Sequence, residues 1–265
     1  MRIDEIICSF SKELKELLEG CSYEENKAGC SNTNVYKVIG REGEGNRYLK
    51  VSNSKFENFN YEVDLLNWMK GKLPVPRVLY HGHSGEYEFF LMSEVCGKDS
   101  SMIDESTDKA KVVKALARGL KLIHSVPIKH CNFDQRLETK LKIAEFNVQN
   151  GLVDEEDIKS TDPNITPEKI LKELQDNKPN SDDNVLTHGD YCLPNIILDK
   201  DYNISGFIDW GRGGICDRYQ DIGIGCRSIK SNLGEEMVPI FLEEYGLDKI
   251  DYSKIHYYIL LDELF

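Results

Sequence analysis

No stretch of this chain approaches the ~18 consecutive apolar residues that a membrane-spanning helix requires. The first twenty residues, MRIDEIICSFSKELKELLEG, carry charges throughout and lack the unbroken apolar core of a secretion signal. The expectation is a cytoplasmic protein without a membrane partner. Proline is scarce, with 8 in 265 residues, and no low-complexity tract or repeat of 20–50 residues interrupts the chain, which disfavours linkers and solenoids. The 8 cysteines (Cys8, Cys21, Cys30, Cys96, Cys131, Cys192, Cys216 and Cys226) include no C-x-x-C pair, the wrong arrangement for zinc and sparse for a disulfide scaffold. They read as reduced, mostly packed thiols, Cys192 included. Positive charge is in deficit: the net charge is -13, which disfavours nucleic acid and favours a cationic partner. There is no full G-x-G-x-x-G of protein kinases, and the lack of a Walker A string argues against a P-loop kinase.

What is present suits a compact α+β enzyme in two lobes, 1–95 and 96–265. Ile6, Ile7, Phe10, Leu14, Leu17 and Leu18 predict a first helix by their spacing. NVYKVIG (34–40) and NRYLKVS (46–52) alternate and flank the turn-rich REGEG, which predicts a hairpin. Phe56, Phe59, Val63, Leu66 and Met69 predict a helix over 56–71, stopped by LPVP. Strand-like RVLYHG and EYEFFLMSE then complete an N-terminal antiparallel lobe ending near Val95, Cys96 and Gly97. The second lobe reads as mainly helical, with helices near 108–125, 134–149, 167–175, 217–230, 234–245 and 253–264. Short apolar runs interrupt it at 185–187, 196–198 and 204–208.

The strongest signal is HGDYCLPN, 188–195, followed after a short hairpin by Ile208-Asp209-Trp210. It resembles a kinase active site: an Asp that accepts the hydroxyl proton, an Asn five residues on that binds magnesium, and a later Asp that holds the metal on the phosphates. Asp190, Asn195 and Asp209 occupy those positions. Each residue alone is also an ordinary turn former; the complete string is what carries the chemistry. His188 reads as a prop for the loop. Alternation along 46–52 puts Tyr48 and Lys50 on one strand face and Leu49 and Val51 on the other. An inward lysine needs a partner, and Glu62, twelve residues on, is placed to pair with it, although surface charges would look the same on this strand alone. Tyr48 is a candidate to stack on adenine, and Ser31, in the loop 29–32, a candidate to cover phosphates.

YLKV, WMKGKLPVPRV, LMSE, LTHGDYCLPNI, SGFIDWGRGGICDRYQDI, RSI and the terminal YYILLDELF together are similar to strings of the aminoglycoside 3'-phosphotransferases, the kanamycin kinases. The resemblance spans nearly the whole chain. It implies a bilobal protein-kinase-like fold, an N-lobe antiparallel sheet with a helix, and transfer of the γ-phosphate of ATP (or GTP) with Mg²⁺ to the 3'-hydroxyl of an aminoglycoside, conferring resistance. It further implies a Lys50–Glu62 phosphate grip, adenine held at Ser93 and Val95, and drug contacts from Asp157, Arg212, Arg227, Asp262, Glu263 and the carboxylate of Phe265. Leu193 and Ser231 stand where members of the family can carry an acid, which leaves the drug range open. Asp217 and Asp221 read as structural, capping a helix and bracing the catalytic loop. The charge fits this picture: residues 1–95 hold 12 basic and 15 acidic side chains, and the remainder 21 and 31. Carboxylates would concentrate a polyammonium substrate. A monomer or weak dimer is expected. The alternatives are a kinase of choline, homoserine or a sugar, and a silent kinase-like binding module.

Overall fold

The computed structural model describes residues 3–26, 33–53, 58–102, 104, 107–156, 158, 164–180 and 183–265. The chain divides into two compact units, Met1–Cys96 with Gly206–Gly211, and Gly97–Ser205 with Arg212–Phe265.

The first unit opens with two short helices, α1 (Ile3–Ile6) and α2 (Lys12–Leu18), separated by a 3-10 turn at Ile7–Ser9. The predicted single helix is therefore broken. Phe10 is extended, and the Ser11 hydroxyl accepts the Leu14 N–H at 3.1 Å, an N-cap that restarts the helix. Five strands follow: β1 (Ser22–Asn26), β2 (Asn34–Ile39), β3 (Arg47–Ser52), and, after α3 (Asn60–Met69), β4 (Val78–Ser84) and β5 (Tyr87–Ser93). They form one antiparallel sheet in the order β1-β2-β3-β5-β4. The expected hairpin is β2–β3. Strand β1, SYEEN, has no apolar alternation and exists through its pairing with β2; as a charged edge strand it also blunts that edge against further pairing. Leu49 and Val51 point into a core with Phe10, Leu14, Tyr36, Val38 and Phe89. The strip Gly206–Gly211 belongs to this unit through the Phe207 N–H bond to the Pro74 carbonyl, 3.0 Å, and any side chain at Gly206 would strike that carbonyl.

In the second unit β6 (Lys98–Asp99) leads into α4 (Lys109–His124), whose Asp108 cap accepts the Lys111 N–H and whose apolar stripe buries Val112, Val113, Leu116, Leu120 and Ile123. There follow α5 (Leu137–Gln149), α6 (Pro167–Asp176), β7 (Asn184–Thr187), β8 (Ile196–Leu198), β9 (Ile204–Phe207) and β10 (Gly214–Asp217). The last helices are α7 (Tyr219–Leu233), α8 (Val238–Tyr245) and α9 (Tyr252–Asp262). Strands β7 and β10 pair antiparallel, and β6, β8 and β9 form a small sheet. Helix α7 packs on α9, α4 on α8, and α5 on α6. Because α7 meets neighbours on several sides, even its polar Gln220, Asp221 and Ser228 are buried. No helix among the described residues is long and apolar enough to cross a membrane.

Candidate active site

In the first unit, β3 carries Lys50 and the first turn of α3 carries Glu62, and both side chains are buried. Lys50 Nζ lies 3.0 and 2.8 Å from the two Glu62 oxygens and 3.1 Å from Asp209 Oδ1. Burial alone would depress this ammonium, but Glu62 and Asp209 outweigh it and its pKa is raised above the ordinary lysine value. Glu62 also accepts the Trp210 N–H at 3.2 Å, so one carboxylate ties α3, β3 and the segment after β9 together. Asp209 has φ 63°, a left-handed conformation uncommon outside glycine, and its carboxylate is 57% exposed. Trp210, fully buried with its indole N–H on the Phe207 carbonyl, anchors that strained residue.

Tyr48 is half-buried on β3. The Ser93 N–H is committed to the Arg77 carbonyl at 2.9 Å and its hydroxyl accepts the Arg77 N–H, so a ligand contact of Ser93 falls to its carbonyl or to its hydroxyl proton. Val95 is half-buried beyond β5. Ser31 lies outside the described residues, as does Asp157.

The second unit holds the catalytic loop, 188–195, between β7 and β8. Asp221, on the first turn of α7 and fully buried, takes the His188 N–H on Oδ2 at 2.7 Å and the Gly189 N–H on Oδ1 at 2.8 Å. It thus braces the loop as its position in the sequence suggested. Further on, the Ser228 hydroxyl accepts the Leu193 N–H, Ser100 donates to the Leu193 carbonyl, and the Tyr191 hydroxyl reaches the Leu116 carbonyl. Asn195 donates its amide to the Asp190 carbonyl at 3.1 Å and to Asp190 Oδ2 at 2.9 Å, which turns its own Oδ1 away and leaves an oxygen suited to a hard cation. Burial, with Asp190 beside it, pushes the Cys192 thiol pKa up, so this cysteine is an inert filler. Asp217 takes the Tyr219 N–H at the start of α7 and pairs with Lys254 at 2.9 Å.

The C-terminal residues are docked. Leu261 and Leu264 are fully buried, and Asn147 donates to the Leu264 carbonyl at 2.9 Å. Asp262 is paired with Arg212 at 3.1 Å and with Arg227, which also holds Glu263 at 2.8 Å. The two arginines thus pair with Asp262 and Glu263, and the Asp262 side chain is 5% exposed. The Phe265 ring lies under two cations, Lys140 Nζ at 4.8 Å and the Arg212 guanidinium at 5.4 Å.

Lys140 escaped the sequence reading, although a signal existed: it falls on the apolar stripe of α5 with Leu137, Leu141 and Ala144. It is 1% exposed and, among the described residues, makes no ion pair. Burial first, and then Arg212, lower its pKa. Because the folded state releases this proton more readily, the cost of the buried ammonium is full below the lowered pKa and disappears as pH rises towards the unfolded value of 10.5. Lys140→Met is expected to raise the unfolding free energy at pH 7 by about 1–3 kcal/mol, with the gain shrinking as pH rises towards 10.5 in denaturant titrations.

An ammonium clamped by a helix carboxylate beside an exposed, strained aspartate, and separately an Asp–Asn catalytic loop pinned from behind by a buried carboxylate, define a phosphotransferase of the protein-kinase-like fold. Comparison with known proteins agrees. A model of the phosphotransferase enzyme family matches residues 22–258. The aminoglycoside 3'-phosphotransferase of Niallia circulans is 40% identical over 97% of this chain and 98% of its own, and that of Enterococcus faecalis 37% identical over 96% and 98%. A crystal structure of a type VIII aminoglycoside 3'-phosphotransferase superposes with a TM-score of 0.84 at 28% identity, covering 95% of this chain and 96% of that one. An aminoglycoside phosphotransferase of Streptomyces rimosus shares the fold, with a TM-score of 0.83 at 23% identity over 100% and 98% of the two chains. The chain belongs to the phosphotransferase enzyme family, among the aminoglycoside 3'-phosphotransferases.

Proposed function

We propose that this enzyme transfers the γ-phosphoryl group of ATP to the 3'-hydroxyl of kanamycin- and neomycin-type aminoglycosides and thereby confers resistance. The observation that carries the reading is the coexistence of the Lys50–Glu62–Asp209 cluster and the Asp190–Asn195 loop in a chain with full-length aminoglycoside 3'-phosphotransferase relatives. Lys50 grips the α- and β-phosphates, with Glu62 holding its charge in place; Tyr48, Ser93 and Val95 take the adenine. Ser31 covers the phosphates. Asp209 and Asn195 each offer an oxygen ligand to Mg²⁺, which neutralises phosphate charge when bound. Asp190 accepts the proton of the acceptor hydroxyl as the oxygen–phosphorus bond forms and the bond to the β–γ bridging oxygen breaks, releasing ADP. Use of GTP as a second donor beside ATP, the monomeric or weakly dimeric state and a cytoplasmic location complete the reading.

On the drug side, Asp157, Asp262, Glu263 and the Phe265 carboxylate supply anionic charge for ammonium groups, and Arg212 and Arg227 frame them. Removing the last four residues would take away the buried Leu264 and unpair both arginines, so truncation mixes folding with binding. Glu263→Gln separates them. It is expected to raise KM for kanamycin by about 3- to 10-fold while KM for ATP stays within about twofold, since glutamine keeps the volume of Glu263 and removes only its charge; equal changes in both constants would assign Glu263 to the fold.

The deciding experiment is ADP release by the purified protein with Mg-ATP and kanamycin, neomycin, the 3'-deoxy drug tobramycin, choline and homoserine. Turnover of kanamycin with little of tobramycin is expected. Turnover of choline or homoserine alone would keep the catalytic residues and discard the substrate, and no turnover would favour a silent binding module.

A further inference from the structure

The unit that contains the catalytic loop also holds a chain of hydrogen bonds that the proposed chemistry does not use. It begins at the Asp183 carboxylate, which accepts from Arg218 Nε and, at 2.7 Å, from Nη2. Arg218 Nη1 lies 3.0 Å from the Tyr245 hydroxyl oxygen, and that oxygen lies 2.7 Å from His124 Nδ1. The opposite ring nitrogen, His124 Nε2, lies 3.1 Å from Asp221 Oδ2, the atom that also accepts the His188 N–H. His124 and Tyr245 are both buried at the ends of α4 and α8, so neither bond is shared with bulk water.

The direction of every bond in this chain follows from its first member. A guanidinium only donates, so the Tyr245 oxygen accepts from Arg218 and its own proton is left to point at His124. Burial pushes the Tyr245 phenol up to about 12, against the opposing pull of Arg218, so that proton is present throughout the working range. His124 Nδ1 is then the acceptor and the ring's proton sits on Nε2, facing Asp221. A ring protonated on both nitrogens would aim a second donor at an oxygen already taken by Arg218 and leave the phenol proton without an acceptor in this chain.

We propose that His124 is a positioning residue for phosphoryl transfer: held as the neutral Nε2–H tautomer by Tyr245 and Arg218, it fixes the Asp221 carboxylate that in turn fixes the backbone immediately before Asp190. The inference rests on Asp190 being the proton acceptor. Oδ1 of Asp221 holds Gly189 and Oδ2 holds His188, so the rotation of one carboxylate shifts both peptides at once. The His124 bond is the one donor to that carboxylate that comes from outside the catalytic loop among those described here. Loss of that donor loosens the orientation of Asp190 at the moment of transfer and leaves substrate binding alone.

Two amides distinguish the nitrogens. In His124→Gln the side-chain amide reaches the position of Nε2 and still donates to Asp221; in His124→Asn it reaches only as far as Nδ1. With Mg-ATP and kanamycin, His124→Gln is expected to retain kcat within about threefold, whereas His124→Asn loses about 10- to 100-fold in kcat with both KM values within about twofold. Equal losses in the two variants, a full kcat in His124→Asn, or a loss confined to KM would overturn the proposal. The tautomer is tested independently of turnover by nitrogen-15 spectra of the imidazole rings, assigned through His124→Gln. The parent is expected to show a protonated Nε2 and a bare Nδ1 at His124, and Tyr245→Phe to mix the two tautomers. A doubly protonated ring, or a proton on Nδ1, in the parent overturns the assignment even if a variant fails to fold. Should the parent fail to turn over any aminoglycoside, the functional reading falls while the tautomer result still stands or fails by itself.

Discussion

Asp190→Ala is expected to lower kcat with kanamycin by about 10²- to 10⁴-fold, the usual contribution of a positioned proton acceptor. Nucleotide affinity, measured by calorimetry with a non-hydrolysable ATP analogue, should stay within about threefold, since Lys50, Glu62 and Asp209 make their bonds to one another without any contribution from Asp190. The Asp190 carboxylate is half-buried and receives the Asn195 amide, so its deletion also frees that amide to turn. Asp190→Asn keeps the volume and removes the charge. It should be nearly as slow as the alanine variant, and a fast asparagine variant would mean that Asp190 orients Asn195 and that proton removal is carried out elsewhere.

Gly189→Ala, one residue away, should fail in a different manner. Gly189 has φ 83°, where an L-residue pays about 1–2 kcal/mol. Its added Cβ would in addition lie 1.9 Å from the Arg212 carbonyl oxygen and 2.5 Å from the carbonyl carbon, and these are backbone atoms that cannot rotate out of the way. Relief requires the loop to move off Asp221, which breaks the Gly189 N–H bond inside a dry site. The combined loss is expected to exceed about 3 kcal/mol, or roughly a 10 °C fall in the unfolding midpoint. Asp190→Ala should melt within a few degrees of the parent. A Gly189→Ala protein with the parent's midpoint would show that the backbone here is not in the left-handed conformation.

The contrast between these neighbours reflects what each position is asked to do, and it explains how legible each was. Asp190, Asn195 and Asp209 could be recognised from spacing, because phosphoryl transfer needs particular oxygen atoms on a short stretch of chain and little else. Lys50 and Glu62 were legible for a related reason. A lysine alternating onto a buried face has to be neutralised, and the next helix offered an acid. The strands β2 to β5 and helices α4 to α9 were likewise legible locally, most of them because one face is buried, while β5 and α7 are buried on more than one side and show as apolar runs. Strand β1 was not, because its burial pattern is nearly all exposed and its only reason to be extended is the neighbouring strand. The break at Phe10 and Ser11 was missed because helical spacing continues through it, while the cap that ends the periodicity is a single hydroxyl.

The charges at the C-terminus illustrate the same division. Acidic residues in LLDELF were visible as such, and carboxylates lining a cleft, with Arg212 and Arg227 as framework, were the expectation from them. Among the described residues the fold pairs Asp262 with both arginines and Glu263 with Arg227. Which acids remain to meet a ligand depends on where the arginines of α7 and of the segment before β10 come to rest, a matter of three-dimensional distance.

The sequence by itself thus determined the groups this protein has available: an aspartate and an asparagine five residues apart, a second aspartate after a short hairpin, a buried lysine with its acid, and the order of elements that present them. Tertiary structure alone decided which charges pair with one another, which buried groups stand behind the loop 188–195, and which lysine is buried with no ion pair among the described residues. The physical reason is that reactive groups are specified by residue type and short spacing along the chain, whereas neutralisation, desolvation and hydrogen-bond direction depend on contacts between residues as distant in sequence as His124 and Asp221, or Arg212 and Asp262.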